Sequence, residues 1–121
     1  MNKVILVVED QEDNRRIIRD LLTSVHFQVV EAVTGEEGVH SAELHKPDLI
    51  LMDIQLPDFD GYEATRRIKA KPDLKSIPII AVTSYALSGD DEKAFEAGCD
   101  AYVSKPFSPR ALLAKIREIL A

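Results

Sequence analysis

Cysteine is nearly missing from this chain: Cys99 stands alone, with no partner for an internal disulfide. That excludes a disulfide-stapled secreted scaffold and fits a reducing compartment. Long hydrophobic runs are missing too. The longest apolar stretches, such as residues 4–8 and 49–52, fall far short of the ~20 residues that cross a bilayer. No basic-then-apolar leader opens the chain. Membrane insertion and signal-peptide export are therefore not expected, and the expected compartment is the cytoplasm. Positive charge is in deficit: 15 Lys and Arg face 21 Asp and Glu, a formal charge of −6. This is the wrong sign for a surface that must neutralise phosphates, so direct nucleic acid binding is not expected. Internal repeats, low-complexity tracts and Gly/Ser linkers are likewise absent.

What is present reads as one domain spanning 1–121. The 121 residues are 45% hydrophobic and 30% charged, an ordinary globular composition. A chain of this length buries roughly two-thirds of its unfolded surface and needs no structural metal. Short apolar or β-branched runs at 4–8, 27–31, 49–52, 77–82 and 101–103 predict five strands. Three are continuous in hydrophobicity, as parallel strands covered on both faces are. Helical periods lie between them: Ile17, Ile18, Leu21, Leu22 and Val25 form one stripe, Leu112, Leu113, Ile116 and Leu120 another. Thr34 with Glu37 makes a capping box that opens a helix over 35–45, closed by Lys46 and Pro47. A shorter helix is predicted over 62–70. Ser88 with Asp90, Asp91 and Glu92 opens a fourth, and Ser108 with Pro109 opens the last. The expected fold is α/β, a flavodoxin-like three-layer sandwich. Its doubly wound, five-stranded parallel sheet has order 2-1-3-4-5, with five helices.

In such a sheet the ligand crevice lies beyond the carboxyl ends of the strands where the winding reverses, here between strands one and three. Strand one ends in Glu9 and Asp10, and strand three in Asp53, so three carboxylates should converge. Two such charges ~4 Å apart at an effective dielectric of ~20 repel by roughly 4 kcal/mol, a large fraction of a small domain's stability. Something must offset that. Hard oxygen ligands in a solvent-open crevice suit Mg²⁺. Lys105, just past strand five, can reach in as a fixed cation, and the Thr83 hydroxyl ends strand four.

Taken together, these residues resemble a response-regulator receiver domain over essentially the whole chain. The resemblance rests on Glu9-Asp10 after strand one, on the run from Asp53 through Gln55 to Pro57 with Gly61, on Thr83-Ser84, and on Lys105-Pro106. It implies that Asp53 accepts a phosphoryl group from a phosphohistidine on a sensor histidine kinase or histidine phosphotransfer protein. It also implies Mg²⁺ held by Asp10, by Asp53, by the main-chain carbonyl of Gln55 and, through water, by Glu9. Thr83 and Lys105 would assist the transfer, and the chain would catalyse its own phosphorylation and dephosphorylation as a switch rather than as an enzyme acting on others. By the same resemblance the Thr83 hydroxyl swings to the phosphoryl group and the Tyr102 ring follows inward. That changes a surface of helix four, strand five and helix five that meets a downstream protein target. A cis peptide between Lys105 and Pro106 is implied as well. The runs 47–57, 81–84 and 102–106 are similar to single-domain regulators of cell division, and the same segments occur in receivers attached to hybrid kinases.

The acid pair is Glu-Asp rather than Asp-Asp, and Gln55 and Tyr85 stand where relatives tune phosphoryl lifetime. A flavodoxin-like electron carrier would need a phosphate loop after strand one, where residues 9–13 read Glu-Asp-Gln-Glu-Asp and would repel phosphate. An aspartyl-phosphate phosphatase would carry Asp-x-Asp after its first strand. The alternative that keeps the fold is a phosphorylation-independent, receiver-like protein-binding module. With the last helix closing at the chain end, output is expected by protein contact, from a monomer or weak dimer. Elsewhere plainer roles serve: Cys99 as an inert, partly buried thiol, Asp58 and Asp60 shaping the loop before Gly61, and residues 90–92 as helix-end charge. His26, His40 and His45 share no ligand spacing.

Overall fold

A computed structural model describes residues 2–83, 90–105 and 108–121. Strands and helices alternate strictly: β1 (Val4–Val8), α1 (Glu12–Ser24), β2 (Gln28–Ala32), α2 (Gly35–His45), β3 (Leu49–Asp53), α3 (Gly61–Lys69), β4 (Ile79–Thr83), α4 (Asp90–Ala97), β5 (Ala101–Ser104) and α5 (Pro109–Leu120). All four pairings are parallel, and the sheet order is β2-β1-β3-β4-β5, the one expected among the few that right-handed crossovers allow.

The continuous hydrophobicity of the central strands has its reason in the layering. Side chains alternate faces along a strand, so a strand buried on both sides must be apolar at every position. Leu6, Val8, Ile50, Met52, Ile79 and Ala81 pack on one face with Ala42, Ala64, Ile68 and Ala94 of α2, α3 and α4. Ile5, Val7, Leu49, Leu51 and Ile80 pack on the other with Ile18 and Leu22 of α1 and Leu112 and Ile116 of α5. The helices that follow β1 and β3 thus leave on opposite faces, which parts the chain above those two strands.

Three elements start elsewhere than the sequence expectation, each for a local reason, and the ends of β2, β3, β4, β5 and α3 move by one residue. β4 begins at Ile79 rather than at residue 77. Pro78 has no N–H to give a ladder, and the Ile77 N–H turns back to the Leu74 carbonyl at 3.0 Å. β2 begins at Gln28 because the Phe27 N–H is still spent on the Leu22 carbonyl of α1 (3.1 Å), after a left-handed His26 (φ 72°). α3 begins at Gly61, capped by Asp60, whose Oδ1 accepts from the Glu63 N–H at 2.9 Å. The predicted cap at Ser88 lies outside the described residues.

Candidate functional site

Register decides which side chains meet. Val8 lies opposite Met52, so the next residues, Glu9 and Asp53, stand level on neighbouring strands. Asp53 lies opposite Val82, placing Thr83 one residue beyond it, and Thr83 lies opposite Ser104, which brings Lys105 to the same edge. Four strand ends thereby deliver Glu9, Asp53, Thr83 and Lys105 to the rim above β1, β3 and β4.

The local backbone holds each of them. The Glu9 N–H donates to the Ala32 carbonyl at 3.0 Å, continuing the β1–β2 ladder past its last strand residue. The Ile54 N–H donates to the Val82 carbonyl (3.1 Å) and the Gly61 N–H to the Ile54 carbonyl (2.9 Å), folding the loop over 54–60 back on itself. A side chain at position 61 would collide with the Asp53 carbonyl oxygen, so this close return requires glycine. The Lys105 N–H donates to the Thr83 carbonyl at 2.6 Å.

Glu9, Asp53 and Thr83 are buried polar side chains, 2%, 4% and 3% exposed, while Asp10 is exposed. Lys105 Nζ donates to Glu9 Oε1 at 2.6 Å and lies 3.6 Å from Asp53 Oδ1. The Gln55 N–H donates to Asp53 Oδ1 at 3.3 Å, and the Gln11 N–H to Glu9 Oε2 at 3.3 Å. Burial, then a hydrogen bond with Glu9 and repulsion from it, pushes the Asp53 carboxyl up to about 7, against the pull of Lys105 and the Gln55 N–H. Burial alone would also raise Glu9. The hydrogen bonds from Asp53 and Lys105, together with the Lys105 charge, outweigh it and hold Glu9 low. Protonation is thus favoured at Asp53 and disfavoured at Glu9, and the Lys105 ammonium group faces both carboxyls.

Glu9, Asp10 and Asp53 each present a carboxylate oxygen within 4.8 Å of the others. A hard divalent cation fits this donor set: only oxygens are offered, and a positive charge would offset both the burial and the Glu9 repulsion that raise the Asp53 carboxyl. Among the described residues no other such group of acidic, histidine or cysteine ligands gathers.

The remaining sequence candidates fall as follows. Gln55 is exposed in the loop after Asp53. Tyr102 lies opposite Ala81 and packs, half-buried, against the core layer under α2, α3 and α4. Pro106, and with it the expected cis peptide, lies outside the described residues, as do Ser84 and Tyr85. Cys99 is buried with its sulfur 3.7 Å from the Thr65 hydroxyl, and burial pushes the thiol up, the condition of an unreactive cysteine.

Beside the site, the loop role expected of Asp58 takes a form the sequence does not announce, and Arg15 escaped sequence reading. Asp58 bridges the loop to α2, accepting from the N–H groups of Gly35 (2.8 Å) and Glu36 (2.9 Å). Arg15 of α1 donates to the main-chain carbonyl of Glu9 at 3.0 Å. Asp60 is legible as a cap because Glu63 follows three residues later. Asp58 and Arg15 act on elements that only the tertiary fold brings near.

The response regulator receiver domain family matches residues 5–117. The polar-differentiation response regulator DivK of Brucella ovis is 42% identical over 120 residues, covering 99% of this chain and 98% of its own. The crystal structure of a receiver domain from a sensor histidine kinase of Pseudomonas aeruginosa superposes with a TM-score of 0.92 at 39% identity, covering 99% of this chain and 98% of that one. That structure has a magnesium ion coordinated in its active site cleft. A CheY-like receiver domain protein from Methanospirillum hungatei gives a TM-score of 0.90 at 36% identity, over 99% of this chain and 94% of the other.

Proposed function

Because this chain belongs to the response regulator receiver domain family, we propose that it is a phosphoacceptor switch of two-component signalling with Asp53 as its acceptor. The observation that carries this reading is the Lys105 ammonium group set against Glu9 and Asp53 at 2.6 and 3.6 Å, beside a third carboxylate. Folding alone gains nothing from three acids at one rim. Phosphoryl transfer needs such a cluster, because its catalysis is largely positioning plus neutralisation of charge on the transferring oxygens.

Mg²⁺ would be held by Asp10, by Asp53, by the Gln55 carbonyl and, through water, by Glu9; when bound it supplies positive charge to the phosphoryl oxygens. Asp53, as the carboxylate, is the nucleophile. One of its oxygens attacks phosphorus, the bond from phosphorus to the donor's imidazole nitrogen breaks, and that nitrogen keeps the electron pair and takes a proton. Lys105 is close enough to Asp53 to follow the charge from carboxylate to phosphoryl oxygen. The Thr83 hydroxyl would report the new group, and Tyr102, one strand over, would follow it. The partners are then a sensor histidine kinase or a histidine phosphotransfer protein and a downstream protein target, met in the cytoplasm by a monomer or weak dimer. Water attacking the acyl phosphate returns Asp53 and releases phosphate, so the domain resets itself.

The test is intact-protein mass after incubation with Mg²⁺ and acetyl phosphate. The expected result is one added phosphoryl group in wild type and none in Asp53→Asn or in EDTA. A folded wild type that gains nothing beside a working control receiver would sink the proposal in favour of a phosphorylation-independent binding module.

A further inference from the structure

The Glu9 backbone is held at both of its polar groups, and only one of the two contacts belongs to the sheet. Its N–H is held by the Ala32 carbonyl of β2. Its carbonyl, which forms the peptide link to Asp10, is held by Arg15 Nη1 at 3.0 Å. A peptide plane has no internal freedom, so fixing this carbonyl sets where the backbone delivers both acidic side chains. Arg15 is itself oriented: its Nε donates to Glu31 Oε1 at 3.0 Å, and its side chain is only 15% exposed. Glu31, on the edge strand β2, also takes Arg19 Nη1 at 3.0 and 3.2 Å. The chain of contacts therefore runs from the end of β2 through α1 to the Glu9–Asp10 peptide. Asp10 is the exposed member of the acidic group and depends most on its backbone for placement.

We propose that Arg15, aligned by Glu31, is a positioning residue for the divalent cation site. The role rests on the reading of that site as a Mg²⁺ centre. Arg15 contacts no ligand atom and acts through the carbonyl between two acidic residues, as outer-shell partners of metal ligands do. Charge alone argues the opposite way. A guanidinium group near a cation site repels the cation, so its removal should tighten binding if it acted only at a distance. Positioning predicts the reverse sign, and the two roles separate cleanly.

The experiment is calorimetric titration of Mg²⁺ into the unphosphorylated full chain. Outer-shell substitutions cost roughly 10- to 100-fold in metal affinity, so Arg15→Ala should weaken Mg²⁺ binding about tenfold. Arg16→Ala removes a charge from the next position of the same helix, where the side chain is 54% exposed and paired with Asp13; it should leave binding unchanged or slightly tighter. Glu31→Ala, which spares Arg15 but frees it to wander, should weaken binding less than Arg15→Ala. The double variant should match Arg15→Ala alone, because both act through one contact. Unchanged or tighter binding in Arg15→Ala, or additive losses in the double variant, overturns the proposal. Should Arg15→Ala not fold, Arg15→Lys decides: it keeps the charge but loses the guanidinium contacts to Glu31 and the Glu9 carbonyl, so weaker binding supports the proposal and unchanged binding overturns it. Wild type that binds Mg²⁺ yet takes no phosphoryl group would remove the phosphoacceptor reading while leaving this one standing.

Discussion

Asp53 and Glu9 end neighbouring strands with their carboxyl groups turned to the same buried rim, and the one ammonium group beside them cannot balance both. The Asp53 carboxyl is pushed up to about 7 from 3.8, by burial first and by Glu9 next. This has a sign in stability. The folded protein binds the Asp53 proton more tightly than the unfolded chain, so the advantage is fully present below about pH 4 and is lost as pH rises through about 7. Glu9, held low, works in the other direction, but its window closes below its ordinary value of 4.5 and leaves the neutral range alone. In EDTA, wild type should therefore lose stability between pH 5 and pH 8 by an amount that Asp53→Asn, which cannot ionise, does not lose. The difference at pH 8 should be on the order of 2 kcal/mol in favour of the variant. Urea denaturation of the two proteins at several pH values checks this, and parallel curves would show that the Asp53 carboxyl is not pushed up.

The elements around this pair differ in how much of them a reader of the sequence can see. α2 is legible to the residue over 35–45 because its start is chemical: the Thr34 hydroxyl accepts from the Glu37 N–H at 3.0 Å. β1 is legible because five apolar residues between polar flanks leave no choice. Pro78 and the left-handed His26 are visible as letters, but their effect on where β4 and β2 begin depends on which neighbour takes each N–H. The site follows the same rule. Glu9, Asp53, Thr83 and Lys105 can be picked out because strand order alone brings strand ends together, whereas Arg15 and Asp58 work through contacts 6 and 22–23 residues away that no period announces. Asp58 is the clearer case. Burial is the largest single influence and raises its carboxyl, but the N–H groups of Glu36, Gly35 and Phe59 together outweigh it and hold the carboxyl low, so it caps α2 from the loop that carries Gln55. Phe59 lies against Gly35 and under Arg67, whose guanidinium sits 4.0 Å from the ring centre, fastening the same loop a second time. Asp58→Ala should cost about 1 kcal/mol at pH 7, the ordinary worth of a helix cap. That cost should shrink as pH falls through the acid range, where wild-type Asp58 takes its proton and loses the same advantage. Thermal unfolding of both proteins at pH 7 and pH 3 measures it; an equal cost at the two pH values would mean that packing of Phe59, not the carboxylate, holds the loop.

At the scale of the whole molecule, the acidic rim is a place where fold and function pull apart. Two helix layers bury apolar strands that need no help from the site, as the core residues Leu6, Leu51, Ile80 and Leu112 at 0–1% exposure indicate. The rim gathers charge that the core does not want, because β1 and β3 are neighbours whose helices leave on opposite faces. A cation held there would join β1 to β3 and relieve the repulsion between their ends in one step, so its binding energy is also folding energy. At a Mg²⁺ concentration ten times the dissociation constant this linkage amounts to about 1.4 kcal/mol. For a domain of this size that raises the melting temperature by roughly 3–6 °C. Asp53→Asn should begin from a higher melting temperature in EDTA at pH 8, since it lacks the buried charge, and should gain distinctly less from Mg²⁺, since it lacks the ligand. The wild-type and Asp53→Asn curves should therefore approach each other as Mg²⁺ is added. Scanning calorimetry of both proteins across a Mg²⁺ series gives the answer. A shift of equal size in wild type and variant would place the cation elsewhere on this chain of charge −6 and leave the three carboxylates to be explained without it.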